Sequence, residues 1–368
     1  MDIFTLLKAA KEKGASDVHL AVEVPPMFRI NGELQPLAKA APLTVEDMEQ
    51  AFKAVTNEKE RAEFHERMEL DFGYTIPDVG RLRFNVARQR GTISFVIRLL
   101  PLVIPNLAKM GLPEVCKDLV IKRRGLVVVT GPTGSGKSTT LAAMIDYLNS
   151  TENRRVVTIE DPVEYVYGSK KCTITQRELG SDTLSFAEAL RHVLRQDPNV
   201  ILVGEMRDPE TAAAALSVAE TGHLVLTTGH APSASQAIER VIDLFPPHER
   251  NLAQTRLASL LVGVLCQALV PKVDGSGRVA AIEIMLANTA IRNLIRENKI
   301  HQLPNAIRMH GQLGMQLLDQ ALAKLYHKGL ISGENVFSFC NDRDEVTKLI
   351  SGADNPTASP VNLTGKAA

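Results

Sequence analysis

A glycine-rich segment near the middle of the chain has the residue types and the spacing that hold phosphate groups. Its glycines let the backbone wrap so that the N–H groups face a β-phosphate, at the positive N-terminus of the helix that follows. A lysine in this pattern reaches the β- and γ-phosphate oxygens, and the next hydroxyl holds Mg²⁺. The predicted nucleotide-binding residues are Gly131, Pro132, Thr133, Gly134, Ser135, Gly136, Lys137, Ser138 and Thr139, with Ser138 as the Mg²⁺ ligand.

The surroundings of this segment match its structural requirements. The apolar run 126–130 precedes it and a helical pattern over 137–148 follows it, which is the order of strand, loop and helix that a P-loop needs. A glycine-rich loop without a ligand is the alternative, and the complete pattern in this setting disfavours it. The segment therefore predicts a site for a nucleoside triphosphate such as ATP.

A carboxylate follows another apolar run further along the chain. The run 200–204 is typical of a buried strand and is followed by Glu205. Enzymes that hydrolyse a bound triphosphate need a carboxylate near the γ-phosphate to orient and deprotonate water. We therefore expect Glu205 to be this base, on a strand beside the strand that leads into the P-loop. Gly204 occupies the position usually taken by an aspartate that holds Mg²⁺, so another acid must support the metal.

An acidic cluster after a third apolar run supplies such a group. Glu160, Asp161 and Glu164 follow the run 156–159, in a short turn that Pro162 fixes. A cluster of this kind is ordinarily a solvated turn. Because we expect it one strand away from a P-loop that lacks its usual aspartate, the sequence favours a role at the nucleotide site.

Two histidines flank a further apolar run, 224–228. His230 follows this run after Gly229, and His223 directly precedes it. Isolated histidines are more often structural than catalytic. Residues at the carboxyl ends of parallel strands, however, face the ligand crevice of an α/β sheet. His230 is therefore predicted to sense the γ-phosphate, and the same role is considered for His223.

The apolar runs must form the sheet that positions these groups. Runs without polar alternation are typical of strands buried on both faces, as in a parallel sheet covered by helices. We predict a domain of this type over 116–350, preceded by a linker over 106–115. The nearly uncharged run 257–270 is predicted to be a buried helix, too short to span a bilayer. The polar residues 351–368 predict a disordered tail.

Residues 1–105 contain shorter signals of mixed α and β type. An apolar face over 3–10 predicts an opening helix, and Thr44 can cap the next helix. The dipeptide Asn31-Gly32 predicts a type I′ hairpin turn between two short strands. Residues 71–100 alternate like two or three strands. Together these signals predict a small α/β domain.

The composition limits the partners and the compartment. Lys plus Arg total 42 and Asp plus Glu total 42, so no net charge attracts nucleic acid or anionic lipid over long range. The four cysteines include no Cys-x-x-Cys pair and predict reduced, mostly buried thiols. Residues 1–10 have no apolar core, which predicts no secretory signal. We expect a cytoplasmic protein without nucleic acid or direct membrane insertion.

The order and spacing of these segments resemble the Walker A, Asp box, Walker B and His box of the type II/IV secretion ATPases, over about residues 1–350. Within that family the chain is most similar to the pilus retraction ATPases. Ala-Ser-Asp-Val-His-Leu at 15–20 is similar to their N-terminal signature. Gly-Glu-Met-Arg-Asp at 204–208 is similar to their Walker B extension, and the segment 290–297 to their C-terminal retraction motif.

The resemblance implies a PAS-like N-terminal domain and a RecA-like P-loop ATPase domain. It also implies a homohexamer with ATP at its subunit junctions, docked on an inner-membrane platform protein at the inner face of the cytoplasmic membrane. Pilus assembly motors and type II secretion ATPases resemble each other in a four-cysteine zinc insert, which this sequence lacks, so retraction is favoured over extension. One departure is Gly229 where the family usually has Leu, which adds backbone freedom beside His230.

Arginines of the N-terminal domain are candidates for meeting the negative charge of the transferred phosphoryl group. Arg81 and Arg83 share one face if both lie in one strand, and Arg98 lies further along. A solvated basic strand edge is the alternative. Because the resemblance implies that this domain closes over the nucleotide of a neighbouring subunit, Arg83 is the preferred candidate.

Arg292 and Arg296 stand four residues apart in a helix predicted over 290–297. Like charges at this spacing oppose a helix weakly, so we expect an acidic group to neutralise them. The alternatives are an exposed face and a contact with another subunit or with the catalytic domain.

Together these features predict Mg²⁺-dependent ATP hydrolysis by a hexameric motor that retracts a type IV pilus. Two other functions stay open. One is an accessory retraction ATPase that depends on a main motor, and the other is a nucleotide-gated scaffold without significant turnover. A DNA-translocating motor is disfavoured by the balance of charges.

Overall fold

The computed structural model describes residues 2–30, 32–100 and 103–351. The predicted turn residue Asn31 and residues 352–368 of the predicted tail 351–368 lie outside these described residues. Ser351, the first residue of that predicted tail, is instead the last residue of a helix. The chain divides into two compact units. The first comprises the chain up to Ile104 together with Pro162–Tyr167, and the second comprises Pro105–Asp161 and the chain from Gly168 onward. No sequence signal predicted that 162–167 belongs with the first unit.

The first unit is an antiparallel sheet with helices packed against it. Within the described residues its helices are α1 (Ile3–Glu12), α2 (Val45–Val55) and α3 (Glu58–Arg67). Its strands are β1 (Asp17–Leu20), β2 (Met27–Ile30), β3 (Glu33–Pro36), β4 (Glu69–Ile76), β5 (Gly80–Gln89) and β6 (Thr92–Leu99). The sheet order is β3-β2-β1-β6-β5-β4. The predicted α/β character and the strands within 71–100 are confirmed.

Both predicted helix starts are confirmed by their caps. Asp2 accepts hydrogen bonds from the first turn of α1, whose apolar face over 3–10 is buried. At the start of α2, the Thr44 hydroxyl accepts from the Asp47 N–H at 3.1 Å, and the Asp47 carboxylate accepts from the Thr44 N–H at 3.0 Å. Such caps satisfy N–H groups that a helix start leaves without partners.

The second unit is a larger sheet with helices around it. Within the described residues its strands are β7 (Gly125–Thr130), β8 (Arg155–Glu160), β9 (Thr173–Glu178), β10 (Val200–Glu205), β11 (Leu224–Thr228), β12 (Leu261–Pro271) and β13 (Arg278–Leu286). Its helices are α4 (Val115–Val120), α5 (Lys137–Thr151), α6 (Phe186–Val193), α7 (Pro209–Glu220), α8 (Ala234–Asp243), α9 (Arg250–Leu260), α10 (Thr289–Arg296), α11 (Leu303–Met309), α12 (Leu318–His327), α13 (Gly333–Phe339) and α14 (Arg343–Ser351).

The strand order of this sheet is β13-β12-β7-β11-β10-β8-β9. All neighbouring pairs are parallel except β12 with β13, so the predicted mostly parallel sheet is confirmed. The prediction that Glu205 lies on a strand beside the P-loop strand is wrong, because β11 lies between β7 and β10. The prediction that the acidic cluster lies one strand away from the P-loop is wrong as well, because β11 and β10 both lie between β7 and β8. Crossover connections let a later strand insert between earlier ones. The carboxyl ends of β7, β11, β10 and β8 still meet at one edge.

The prediction of a helix over 257–270 is also wrong. The helix α9 ends at Leu260, and β12 then pairs with β7 on one side and β13 on the other. A fully apolar run has no periodicity that separates a buried helix from a buried strand. Here the β-branched residues Val262, Val264 and Val270 favour the strand. In the described part of the chain, every helix is too short or too polar to cross a bilayer.

Arg292 finds partners other than the expected acid. Its guanidinium donates to backbone carbonyls where α9 ends and β12 begins, those of Ala258 (2.9 Å), Ser259 and Leu261 (2.8 Å), and to that of Ala287 (2.9 Å). The last carbonyls of a helix carry partial negative charge and lack intrahelical partners, so the backbone takes the place of an acid. Burial, with Arg296 nearby, lowers the pKa of Arg292.

The cysteines agree with the expectation of reduced thiols. All four are free, and Cys116, Cys172 and Cys266 are buried. Burial raises the pKa of the Cys116 thiol to about 12, so this group stays protonated and unreactive at neutral pH.

Candidate functional site

The P-loop connects β7 to α5, and its shape requires glycine. Gly131, Gly134 and Gly136 have φ angles of +141°, +79° and +88°, a region that favours glycine because it has no side chain. At Gly131 a Cβ atom would lie 2.2 Å from the carbonyl oxygen of Gln267, which is closer than any real contact. Pro132, Thr133 and Gly134 form the exposed tip of the loop. The backbone therefore has the wrapped form that phosphate binding needs.

The Lys137 ammonium group now binds carbonyl oxygens of the P-loop, and it could bind phosphate oxygens in their place. Its side chain is buried, and Nζ donates to the carbonyls of Gly131 at 2.9 Å and Pro132 at 3.0 Å. The first turn of α5 contains no acidic residue, and Gly136 at its start supplies no side-chain cap. The first N–H groups of a helix point along its axis, and this start is therefore suited to an anion. These contacts fit a phosphate group.

The hydroxyls after Lys137 fit a magnesium ion that is held jointly with a nucleotide. Ser138 and Thr139 are half-buried in the first turn of α5. Among the described residues, no group of three or more His, Cys, Asp or Glu side chains could hold a metal by itself. Mg²⁺ in nucleotide sites commonly takes one or two protein oxygens and completes its shell with phosphate and water. Ser138 is the residue that would hold it.

Glu205 lies at the end of β10, where the pairing with β11 shifts register past Gly204. One carboxylate oxygen makes an ion pair with Arg207, and this contact raises the pKa of the guanidinium. The other oxygen lies 3.4 Å from Nε2 of His230. The structure therefore brings the predicted base and the predicted sensor together, with an arginine that was not predicted to be there.

The predicted acidic cluster is divided. Asp161 lies 4.0 Å from Arg207, so one guanidinium approaches the acids that follow both β8 and β10. Glu164 lies in the segment 162–167, which belongs to the first unit. Glu160 is buried at the end of β8, and its Oε1 accepts hydrogen bonds from Oγ1 of Thr158 (2.6 Å) and Nε2 of Gln176 (3.1 Å).

The backbone on both sides of His230 is tied to the P-loop strand. The Gly229 N–H donates to the Val129 carbonyl at 2.9 Å. The Thr130 hydroxyl donates to the Ala231 carbonyl at 2.9 Å and accepts from the Ala231 N–H at 2.8 Å. Thr130 is the last residue before the loop, so the segment that carries His230 is fixed to the end of β7. These bonds limit the backbone freedom that the sequence predicted for Gly229.

His223 lies at the other end of β11. Its carbonyl accepts from the N–H of Gly125, the first residue of β7, at 3.0 Å. Its Nδ1 lies 2.9 Å from the Thr221 hydroxyl and 3.2 Å from the Val218 carbonyl. The amino and carboxyl ends of parallel strands form opposite edges of a sheet. The structure therefore does not bring His223 to the P-loop of the same chain, and it separates His223 from His230.

The three candidate arginines lie on neighbouring strands of the first unit. Arg81 and Arg83 alternate with buried Leu82 along β5, which confirms that they share a face. Arg98 is directly opposite Arg83 on β6. Each has a polar partner in its own unit: Asp71 for Arg83 (3.9 Å), Asp17 for Arg98 (2.9 Å) and Thr75 for Arg81 (3.2 Å).

Sequence reasoning missed three residues that contact the site, namely Thr130, Arg207 and Gln267. Arg207 stands two positions after Glu205, beyond a strand end where no regular spacing predicts a contact. Gln267 had a usable signal, because it is the one amide in the run Leu261–Val270 and a buried amide needs partners. Thr130 and Arg207 also line an open cleft of about 410 Å³, which lies between Glu205, His230 and the helix α8.

Comparisons with known proteins show what this chain is similar to. The family described as Type II/IV secretion system protein matches residues 2–336. The chain is 49% identical to the type IV pilus retraction ATPase PilT of Pseudomonas aeruginosa, over 91% of this chain and 97% of the relative. It is 42% identical to a twitching motility protein of Neisseria gonorrhoeae, over 90% of this chain and 88% of the relative. A crystal structure of the pilus retraction motor PilT with bound ADP has a TM-score of 0.88 at 46% identity, covering 95% of this chain and 99% of that one.

Proposed function

The chain belongs to the Type II/IV secretion system protein family, and we propose that it is an ATP-hydrolysing motor that retracts a type IV pilus. One observation carries the proposal: a glycine-wrapped phosphate loop and the pair of Glu205 and His230 lie at the same edge of one sheet. Such a loop binds a triphosphate, and a carboxylate at that edge can drive water into it. The likeness to PilT and to the twitching motility protein supports pilus retraction as the work that hydrolysis performs.

Binding of ATP uses the backbone of the P-loop and the first turn of α5. N–H groups of the loop and of the first turn of α5 would face the β-phosphate, and Lys137 would exchange its carbonyl partners for β- and γ-phosphate oxygens. Ser138 would hold Mg²⁺, which would supply positive charge to stabilise the phosphates. The ADP in the PilT crystal structure supports a nucleotide in this loop.

Glu205 is the proposed general base. It accepts a proton from a water molecule whose oxygen attacks the γ-phosphorus, and the bond from that phosphorus to the bridging oxygen breaks to give ADP and phosphate. For this step Glu205 must exchange its ion pair with Arg207 for a hydrogen bond to water. His230 lies 3.4 Å from Glu205 and is the proposed sensor of the γ-phosphate.

Most of the remaining site residues keep their predicted roles as proposals. Glu160 and Asp161 are proposed to support the metal site, and Glu164 stays a candidate for that role. No role at the nucleotide of its own chain is proposed for His223, because it lies at the opposite edge of the sheet. Arg83 is proposed to meet the phosphate charge on a neighbouring subunit, with Arg81 and Arg98 as alternatives. Because Arg83 has a carboxylate partner in its own unit, this action requires it to change partners.

We also propose the assembly in which the motor works. Six copies form a ring with ATP at the junctions between subunits, and the ring docks on the inner-membrane platform protein at the cytoplasmic face. An accessory retraction ATPase is a possible second partner. The equal numbers of acidic and basic residues support a motor that does not use nucleic acid.

Phosphate release by the purified full chain tests this function. With Mg²⁺ and ATP we expect turnover that EDTA abolishes and that added DNA leaves unchanged, from a particle with the mass of six chains. Lys137→Ala should abolish turnover, while Lys109→Ala, which changes an exposed lysine, should not. ATP binding without phosphate release would instead indicate a scaffold.

The biological role is tested in Pseudomonas aeruginosa cells that lack PilT. Expression of this chain should restore twitching motility, and the Lys137→Ala variant should not. Restoration only when another retraction motor is present would identify an accessory ATPase. Normal turnover in vitro without any restoration of twitching would contradict the assignment to pilus retraction.

A further inference from the structure

Gln267 lies in β12 and is the one amide side chain in the apolar run Leu261–Val270. Its side chain is almost completely buried, at 1% exposure. A buried amide is unfavourable unless it is hydrogen-bonded, so the partners of Gln267 indicate what it does. Cys266 pairs with Thr130 in the parallel register of β12 and β7, which makes Gln267 level with the first residue of the P-loop.

The two ends of this amide bind two different elements, the P-loop and the helix α5. Nε2 of Gln267 donates to the carbonyl oxygen of Ser135 at 2.7 Å, in the middle of the P-loop. Its Oε1 accepts from the hydroxyl of Thr140 at 2.8 Å, and Thr140 is a buried residue of α5. One side chain therefore ties a sheet strand to the loop and to the helix that follows the loop.

The bond to Ser135 sets the direction of the next N–H group. In a planar trans peptide, the C=O of one residue and the N–H of the next point in opposite directions. Because the Ser135 carbonyl is turned toward Gln267, the Gly136 N–H is turned to the other side. If this peptide flipped, a carbonyl oxygen would replace an N–H group in the loop, and it would repel a phosphate.

We propose that Gln267 is a positioning residue for the nucleotide, because it holds the Ser135–Gly136 peptide with its N–H toward the phosphate. The inference rests on the proposed function, since it requires a phosphate ligand in this loop. Packing supports it as well. A Cβ atom on Gly136 would lie 2.8 Å from Nε2 of Gln267, so the amide lies directly against the loop that it orients.

A matched pair of variants separates positioning from general stabilisation. Gln267→Met keeps the volume but removes the donor to Ser135, whereas Thr140→Val removes the hydroxyl from the same buried network and leaves that donor in place. We expect Gln267→Met to weaken binding of a fluorescent ADP and to raise the KM for ATP about tenfold, with kcat within about twofold, as for one lost hydrogen bond. Thr140→Val should change ADP affinity less than about threefold.

Melting temperatures without nucleotide serve as the folding control for all variants. If Gln267→Met does not fold, Gln267→Asn takes its place in the test, because asparagine keeps the amide but has a shorter side chain. This variant should lose ADP affinity about threefold, and its melting temperature should be almost unchanged. Wild-type ADP affinity in a folded Gln267 variant would overturn the proposal, as would equal losses in Gln267→Met and Thr140→Val. A wild-type chain that binds no ADP would instead refute the proposed function itself.

Discussion

The P-loop and the acidic edge beside it, which we define as Glu205, Arg207 and His230, are held by different kinds of interaction. The P-loop is fixed by backbone geometry, through glycines with positive φ and buried hydrogen bonds to its carbonyls. The acidic edge is held by contacts between polar side chains, and the side chains of Arg207 and His230 are 67% and 47% exposed. The shape of one region is thus set by its backbone, and that of the other by side chains in contact with solvent.

Because of this difference, we expect nucleotide binding and turnover to be separable in this protein. Ion pairs in contact with solvent contribute little to stability. Because Arg207 is on the solvent side of its pair with Glu205, the proposed base could exchange Arg207 for water in each cycle at small cost. The P-loop has no such freedom, because a change in its backbone removes several phosphate contacts at once. Changes in the loop should therefore affect binding, and changes at the acidic edge should affect turnover.

Among variants of the P-loop, the largest expected effect is a loss of ADP affinity on replacing Gly131. In Gly131→Ala the new Cβ would lie 2.2 Å from the Gln267 carbonyl oxygen, at a φ of +141°. Strain and overpacking of this kind each cost about 1–3 kcal/mol, so we expect a loss of ADP affinity of about 100-fold. Titration with fluorescent ADP measures it.

Gly134→Ala is the matched control for this prediction. Its φ is also positive, at +79°, but a Cβ atom there would meet no neighbour within 4 Å. The loss should stay near tenfold, because strain acts alone, at about 1–2 kcal/mol. Equal losses in the two alanine variants would show that close packing on β12 does not define the loop.

A smaller effect is expected where the two regions are joined. Thr130→Val keeps the shape of the residue but removes both hydrogen bonds to Ala231, which loosens the segment that carries His230. We expect kcat to fall about tenfold, a loss of about 1.4 kcal/mol, while ADP affinity changes less than about threefold. Stopped-flow and steady-state phosphate release measure the rate.

Thr130→Ser is the conservative control, because it restores the hydroxyl. Its kcat should lie within about twofold of the wild-type value. If Thr130→Val lost ADP affinity but kept its kcat, the Thr130 hydroxyl would be needed to position the P-loop and not the segment that carries His230.

The smallest effect on the site is expected outside both regions. Arg292→Lys leaves several carbonyls at the end of α9 without their donor, which should lower the free energy of unfolding by about 1–3 kcal/mol and the melting temperature by several degrees. Turnover and ADP affinity of the folded protein should stay at wild-type values. Arg296→Lys, whose guanidinium contacts the Asn293 side chain, should lower the melting temperature less.

The same contrast explains which features could be predicted from the sequence. The P-loop was predictable because its chemistry requires glycine at fixed spacing, and residues with a side chain rarely adopt those φ angles. The strands β8, β10 and β11 were predictable because runs such as Leu224–Thr228 are apolar without alternation. The strand β12 was not, because its apolar run follows α9 without a turn signal between them.

Contacts that join distant parts of the chain were beyond the sequence. The insertion of β11 between β7 and β10 depends on how crossover helices pack, and it moved Glu205 one strand further from the P-loop strand than expected. The pairing of Glu205 with Arg207 depends on the bulge at Gly204. The position of His223 at the far edge could have been predicted. His223 precedes β11 and His230 follows it, so the two histidines must lie at opposite ends of the strand, and the prediction for His223 did not take this into account.

Binding and phosphate release measured together on Glu205→Gln test the central claim most directly. We predict ADP affinity within about threefold of wild type and a rate of phosphate release at least about 100-fold lower, because the variant keeps the loop and loses the base. Phosphate release by Glu205→Gln at the wild-type rate would contradict the account.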